Sequence, residues 1–147
     1  MSADPIAALC VELSGYASGR VWGIELPRDE IDNDLGPRDN IVLSLAGRVP
    51  SAGDNSYIKV GRVRVDVRVY GADPLSAWEL YLVVHDALKA IRPHTVTTDA
   101  GDVLLDNCVA TAGPFTLRDP DIDWPFVLGV FGVHYHEEAI AAAIVSS

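Results

Sequence analysis

From Tyr57 to Tyr70 the chain alternates with period two. Val63, Val65, Val67 and Val69 fall on one side, and Arg62, Arg64, Asp66 and Arg68 on the other. Alternation rich in β-branched residues is the pattern of a half-buried strand. Gly71-Ala72 breaks it, Asp73 is a ready N-cap, and Pro74 suits a first helical position, where a missing N–H costs nothing. Ala77, Leu80, Tyr81, Val84, Ala87, Leu88 and Ile91 then recur at spacings of three and four until Pro93. This predicts a long helix over about 74–92, with its apolar stripe on the valine face of the strand.

The same cap-and-proline device opens the chain at Asp4-Pro5, with Ile6, Leu9, Cys10 and Leu13 as a stripe, so a shorter helix is expected over about 5–16. Arg20 to Leu26 reads as a strand and Ile41 to Ala46 as another. Between them, Pro27 to Asn40 reads as a loop that is functional or mobile, because it exceeds the usual loop length. Residues 50–56 form a hairpin tip. Later strands are expected at Val103–Leu105, Phe115–Arg118 and Phe126–Tyr135, the last two around an acidic turn at 119–124. Cys108–Thr111 continues the first of these or opens the next. Both faces of the last strand are apolar, placing it centrally or covered on both sides, and Gly129 and Gly132 mark a bulge or close backbone approach. The order of elements gives an α+β class: a mostly antiparallel sheet with the helices at about 74–92 and 5–16 packed on it. One domain over 1–147 is expected, with a helix-compatible, alanine-rich tail at 137–147 that frays.

Composition changes this picture little; charge changes it more. The hydrophobic fraction of 49% and charged fraction of 22% are those of a globular chain. A net charge of −10 argues against a surface that grips nucleic-acid phosphates over a wide area. Yet Lys59, Arg62, Arg64 and Arg68 concentrate four of the eleven basic residues on one strand, a strip suited to an acidic patch of a neighbour or simply to a solvated sheet face. No apolar stretch reaches the ~20 residues of a membrane-spanning helix. No secretion signal is visible at the start, so Cys10 and Cys108 are expected as reduced thiols in a cytosolic compartment.

Chemistry-bearing motifs are sparse. No nucleophile elbow or phosphate loop stands in the sequence, and Cys10 lies on a core stripe with nothing placing a histidine beside it. His134-x-His136 puts two imidazoles on one side of a strand with Glu137 adjacent, the seed of a metal site without an identifiable third ligand. Asp32-x-Asp34-x-Gly36 and Asp119-x-Asp121-x-Asp123 have the acids of a calcium loop, but glycine and the terminal glutamate fall out of place, so both read as turn acids. No cofactor is expected. Trp22, Trp124 and Phe131 lie in apolar segments and read as core. Trp78 is off the main stripe with Leu82 four residues on, a partly exposed pair that marks an interface or lies under a loop.

An N-terminal helix comes first, then a strand ending in Leu26-Pro27 and a loop into Pro-x-x-x-Ile-Val-Leu (Pro37 to Leu43). A hairpin, Arg-Val-x-Val-Asp-Val (Arg62 to Val67) closed by Tyr70-Gly71, a long helix and a final hairpin with an aromatic turn complete the series. In order and length this resembles the tail terminator, or tail-completion, proteins of long-tailed bacteriophages and the related minor tail proteins. The resemblance implies a structural, non-enzymatic virion protein at the head-proximal end of the tail. It implies a ring, usually a hexamer, that caps the tail tube, stops its polymerisation and presents a surface to the head–tail connector. DNA passes only through the lumen, past a net-negative subunit that does not trap phosphates. In that setting Arg62, Arg64 and Arg68, the 50–56 loop with Asp54 and Asn55, the 119–124 turn with Asp121 and Trp124, and the Trp78–Leu82 pair are the expected contacts with neighbours. Another neck component or a tube protein is the nearer alternative, and a metal-dependent enzyme using His134 and His136 the further one.

Overall fold

In a computed structural model of the chain, residues 4–48, 60–99 and 101–137 are described. The strands are β1 (Val21–Gly23), β2 (Asn40–Arg48), β3 (Val60–Tyr70), β4 (His94–Thr98), β5 (Gly101–Arg118) and β6 (Pro125–Glu137). The helices are α1 (Pro5–Glu12), α2 (Arg28–Ile31) and α3 (Pro74–Lys89). One sheet holds all six strands in the order β1-β2-β3-β6-β5-β4.

The expected α+β class is corrected. The protein is mostly β, 46% strand against 27% helix, and its sheet curls into a mixed half-barrel instead of lying flat beneath a helical layer. The sheet is mixed because β1 runs parallel to β2, with Val21 opposite Ile41 and Gly23 opposite Leu43. A parallel neighbour needs a crossover of about a dozen residues or more. Residues 24–39 are that crossover, which is why the segment exceeds an ordinary loop, and it includes the short α2. The curl brings both sheet edges towards α1, which touches β1 and β2 on one side and β4 on the other.

Both cap-and-proline starts form as expected. The Asp4 carboxylate accepts from Ile6 and Ala7 N–H, and that of Asp73 accepts from Ser76 N–H. The helices end sooner than their stripes suggest: α1 stops at Glu12, before a 3-10 turn at Ala17–Gly19, and α3 stops at Lys89. The hairpin tip with Asp54 and Asn55, and the tail beyond 137, lie outside the described residues.

Val63, Val65, Val67 and Val69 are buried under α1 and α3, in one core with Leu9, Leu13, Tyr81, Leu88 and Phe131. Fully burying each such side chain contributes about 1.5–3 kcal/mol, which is ample reason for the strand to keep its register. Of the two glycines in β6, Gly129 is the close approach: a Cβ there would run into the Tyr81 ring. The register shifts lie on β5 instead, at Leu105/Asn107, Ala110/Ala112 and Ala112/Phe115, so β5 is one long bulged strand where several short pieces are expected.

Candidate interaction surface

The face of the sheet turned away from α1 and α3 carries every second residue of β3 and β6. Across β3, β6 and β5 the register sets Arg68, Leu128 and Phe115 in one row, and Asp66, Val130 and Ala112 in the next. Arg64, Gly132 and Val109 follow, then Arg62, His134 and Asn107. Directly opposed residues of antiparallel strands share a face, so these rows form one surface with arginines along one side and apolar groups along the other.

That surface is treated differently at its two ends. At the Tyr70 end a second, smaller core forms from Leu26, Val42, Tyr70, Trp124 and Phe126, with Trp22, Ile31, Ile122 and Leu128 against it. The crossover 24–39 and the 119–124 turn are its cover. Glu30, buried at the end of that cover, is its polar anchor. Its two carboxylate oxygens accept from Arg38 Nε at 2.6 Å and Nη2 at 2.7 Å, and Oε1 also accepts from Asn40 Nδ2 at 3.0 Å. Asn40 Oδ1 in turn accepts from Trp22 Nε1 at 2.8 Å, and Arg20 Nε donates to Asp39 O at 2.8 Å. The hydrogen bonds from Arg38 hold the Glu30 carboxyl below its ordinary range against the opposing effect of burial, with Asn40 and Arg20 assisting. Nothing local in the sequence marked Glu30, because its partners lie eight and ten residues on, at spacings no helix or strand period picks out.

The Arg68 guanidinium belongs to this closed end. Its Nη2 donates to Ile24 O at 2.9 Å, and Nη1 approaches the Tyr70 hydroxyl at 3.4 Å. That hydroxyl donates to Asp119 Oδ2 at 3.0 Å, and burial pushes the phenol up to about 12. Arg68 is thus half-buried and bonded within its own chain, unlike the exposed Arg62 and Arg64 of the same strip. Trp124 is 6% exposed and stands edge-on to the Tyr70 ring inside the second core, as its apolar segment leads one to expect, so it is not part of the exposed surface of the 119–124 turn. Asp121 is exposed, in a turn closed by its N–H donating to Asp119 Oδ1. Arg62 and Arg64 are exposed on the open part of the face, as expected of the strip.

The β5 side of the face is open and apolar. β4 pairs with Gly101–Leu105, and among the described residues no strand lies on the rest of that β5 edge. Val109, Phe115 and Leu117 are 57%, 49% and 44% exposed, all on the outer face. Bulges and a proline at 114 interrupt this edge, devices that discourage indiscriminate strand pairing. The Phe115-x-Leu117 alternation signalled a strand; only the register shows that its apolar side faces outward.

Trp78 and Leu82 sit on α3, on the opposite side of the sheet from the arginine strip. Trp78 is half-buried and stacked on Tyr81, while Leu82 is exposed. The two therefore do not share a surface with Arg62 and Arg64.

The chemical alternatives gain little. His134 Nδ1 lies 3.0 Å from Asn107 Oδ1, and His136 Nδ1 is buried without a partner. Among the described residues no three His, Cys, Asp or Glu side chains converge. Burial raises the thiol of Cys10 to about 11, with Asp4 assisting, and that of Cys108 to about 12, so both stay protonated near neutrality. A cleft of about 350 Å³ between α1, α3 and β4 holds the His94–Glu12 pair. No helix among the described residues is long and apolar enough to cross a membrane. No protein-family model and no curated protein matches this chain.

Proposed function

We propose that the chain is a structural subunit that assembles with copies of itself into a ring, the tail terminator of a long-tailed bacteriophage. In this reading the ring caps the tail tube at its head-proximal end, stops tube growth and offers the connector a joining surface, while DNA passes through its lumen. The observation that carries the reading is the outer sheet face, where Val109, Phe115 and Leu117 stand exposed along β5 and Arg62 and Arg64 stand exposed on β3, two strands away, with Arg64 in the row of Val109. An exposed apolar patch with a polar, arginine-bearing rim is the composition of a protein–protein interface, not of a solvated sheet face. A net charge of −10 fits a subunit beside DNA that slides without sticking.

The test is light scattering coupled to size-exclusion chromatography, with and without purified tail tubes. Rings, or a smaller species that caps tubes and halts their growth, are expected. A species indifferent to tubes would overturn the terminator role.

A further inference from the structure

α1 spans the gap between the two edges of the curled sheet. Near its start Ile6 lies over Gly23 of β1, and its last residue, Glu12, meets His94, the first residue of β4. His94 stands between two acceptors that have no proton to give. Its Nδ1 lies 2.6 Å from Arg92 O and its Nε2 lies 2.9 Å from Glu12 Oε2. An imidazolium donates to both, whereas a neutral imidazole has a single N–H. Whichever tautomer the neutral ring takes, it turns a lone pair towards one of the two oxygens. The Arg92 carbonyl is fixed by the chain two residues away, while the Glu12 side chain is partly exposed and can turn to water. The Glu12 contact is therefore the one that gives way.

Glu12 also needs a cation on its own account. At the end of α1 it sits at the negative pole of the helix, where a carboxylate is disfavoured unless a positive group faces it. The last turn of α1 contains no basic residue. Arg92 is turned elsewhere, its Nη1 donating to Lys89 O and Ile91 O at the end of α3. Lys89 itself is exposed, and on β5 the register sets Leu105 opposite His94, with Asp106 next along. The pair thus forms one wall of a cleft whose remaining lining includes Ala87, Ala90, Ile91 and Pro93.

We infer that His94 and Glu12 form a proton-operated latch on this seam, in which the imidazolium ties the end of α1 to the β4 edge and loss of its proton lets that end lift. The Arg92 carbonyl and then Glu12 favour the charged ring, so the latch is closed below the ordinary value of 6.5 and releases as pH rises through the higher folded value. Leu9 and Leu13 hold α1 in the main core, so release loosens the last turn of α1 and widens the cleft while the fold persists. The device is independent of how copies of the chain assemble.

The test is amide hydrogen exchange on the full chain, read as protection factors so that the intrinsic pH dependence of exchange drops out. The reporters are the Leu13 and Ser14 N–H groups, which donate to Leu9 O and Val11 O at the end of α1. Between about pH 5.5 and about pH 8.5 they are expected to lose about fivefold in protection relative to the amides of β3, the most that so exposed a pair contributes. Glu12→Gln offers the ring either an oxygen or an N–H, keeps a contact in both protonation states, and is expected to remove that dependence. The His94 ring, followed by NMR in the wild-type chain, is expected to titrate above 6.5. Protection at the end of α1 that moves with β3 across the whole range would overturn the inference. So would a pH dependence that survives Glu12→Gln, or a His94 midpoint at or below 6.5.

Discussion

The two faces of the sheet are built from the same strands and finished in different ways. The inner face is closed mainly by apolar side chains: among the described residues the valines of β3, Phe131 of β6 and the stripes of α1 and α3 form a core with no fully buried charged group. The outer face is closed around Tyr70 by a cover whose grip is polar, through Glu30, Arg38, Asn40 and Arg20, and is left open along β5. Apolar packing is tolerant of sequence and strong in sum, whereas a buried carboxylate is useful only while all its partners hold. The difference separates a face buried along its whole length from one that is buried around Tyr70 and exposed along β5.

Removing an anchor of the inner face should have the largest effect. Phe131 is fully buried. Phe131→Ala is expected to cost about 3–5 kcal/mol through lost transfer energy and the cavity left behind. In thermal melts that is a fall of about 10 °C for a domain of this size. A fall of only a few degrees would mean that the curled sheet collapses readily on its helices, and that the inner face is less tightly specified than its burial implies.

The polar cover should fail at a lower cost and with a pH signature. Glu30→Ala strips the fully buried Asn40 amide of one acceptor, a loss of about 2 kcal/mol. The sign of the pH effect follows from the lowered folded-state value of Glu30. Its contribution is present above the ordinary carboxyl value of 4.5 and fades as pH falls through the folded value. Wild-type and Glu30→Ala melting curves should therefore converge in acid. Parallel curves down to about pH 3 would show that Glu30 is not the anchor of the cover.

How legible this was in the sequence follows the same division. The inner face was nearly all readable, because burial on one side of a strand or helix leaves a period of two or of three to four. Val63 to Val69 and Tyr81 to Leu88 are where the periods put them. The two proline-led helix starts were readable too, since a cap is a local bond. The parallel β1–β2 pair was not, because a crossover folded as a cover has the composition of a polar loop. The bulges of β5 hid the continuity of an 18-residue strand by breaking its alternation. Glu30 was lost among four other acids. That Arg68 is tied down to Ile24 and Tyr70 was not legible, because a sequence shows which residues share a face but not which part of that face is covered.

The gap between the sheet edges offers a smaller test. His94, on β4, has an acceptor at each ring nitrogen: as imidazolium it donates from Nδ1 to Arg92 O at 2.6 Å and from Nε2 to Glu12 Oε2 of α1 at 2.9 Å. The Arg92 carbonyl and then Glu12 raise its folded-state pKa above the ordinary 6.5, so the imidazolium form is favoured in the fold. That stability is fully present below 6.5 and is lost as pH rises through the folded value. With the pair well exposed, at most about 1 kcal/mol is at stake. His94→Gln should melt below wild type at about pH 5.5 and match it at about pH 8.5. A difference that grows with pH would mean the latch works through neutral imidazole.

The smallest expected effect is the sharpest check on the contrast between faces. Phe115 and Phe131 are the same residue on neighbouring strands of one sheet, but Phe131 opposes Val65 inside and Phe115 opposes Leu128 outside. Half of Phe115 is already in contact with water, so Phe115→Ser exchanges little on folding and should stay within about 0.5 kcal/mol of wild type in denaturant titrations. Its consequence should appear only where copies meet, as association lost without stability lost. If Phe115→Ser instead destabilises the isolated chain as Phe131→Ala does, then β5 belongs to the fold's own core along its whole length. The open face would then be a structural surface, and the distinction between the part of the sheet that folds the chain and the part that assembles it would have to be drawn elsewhere.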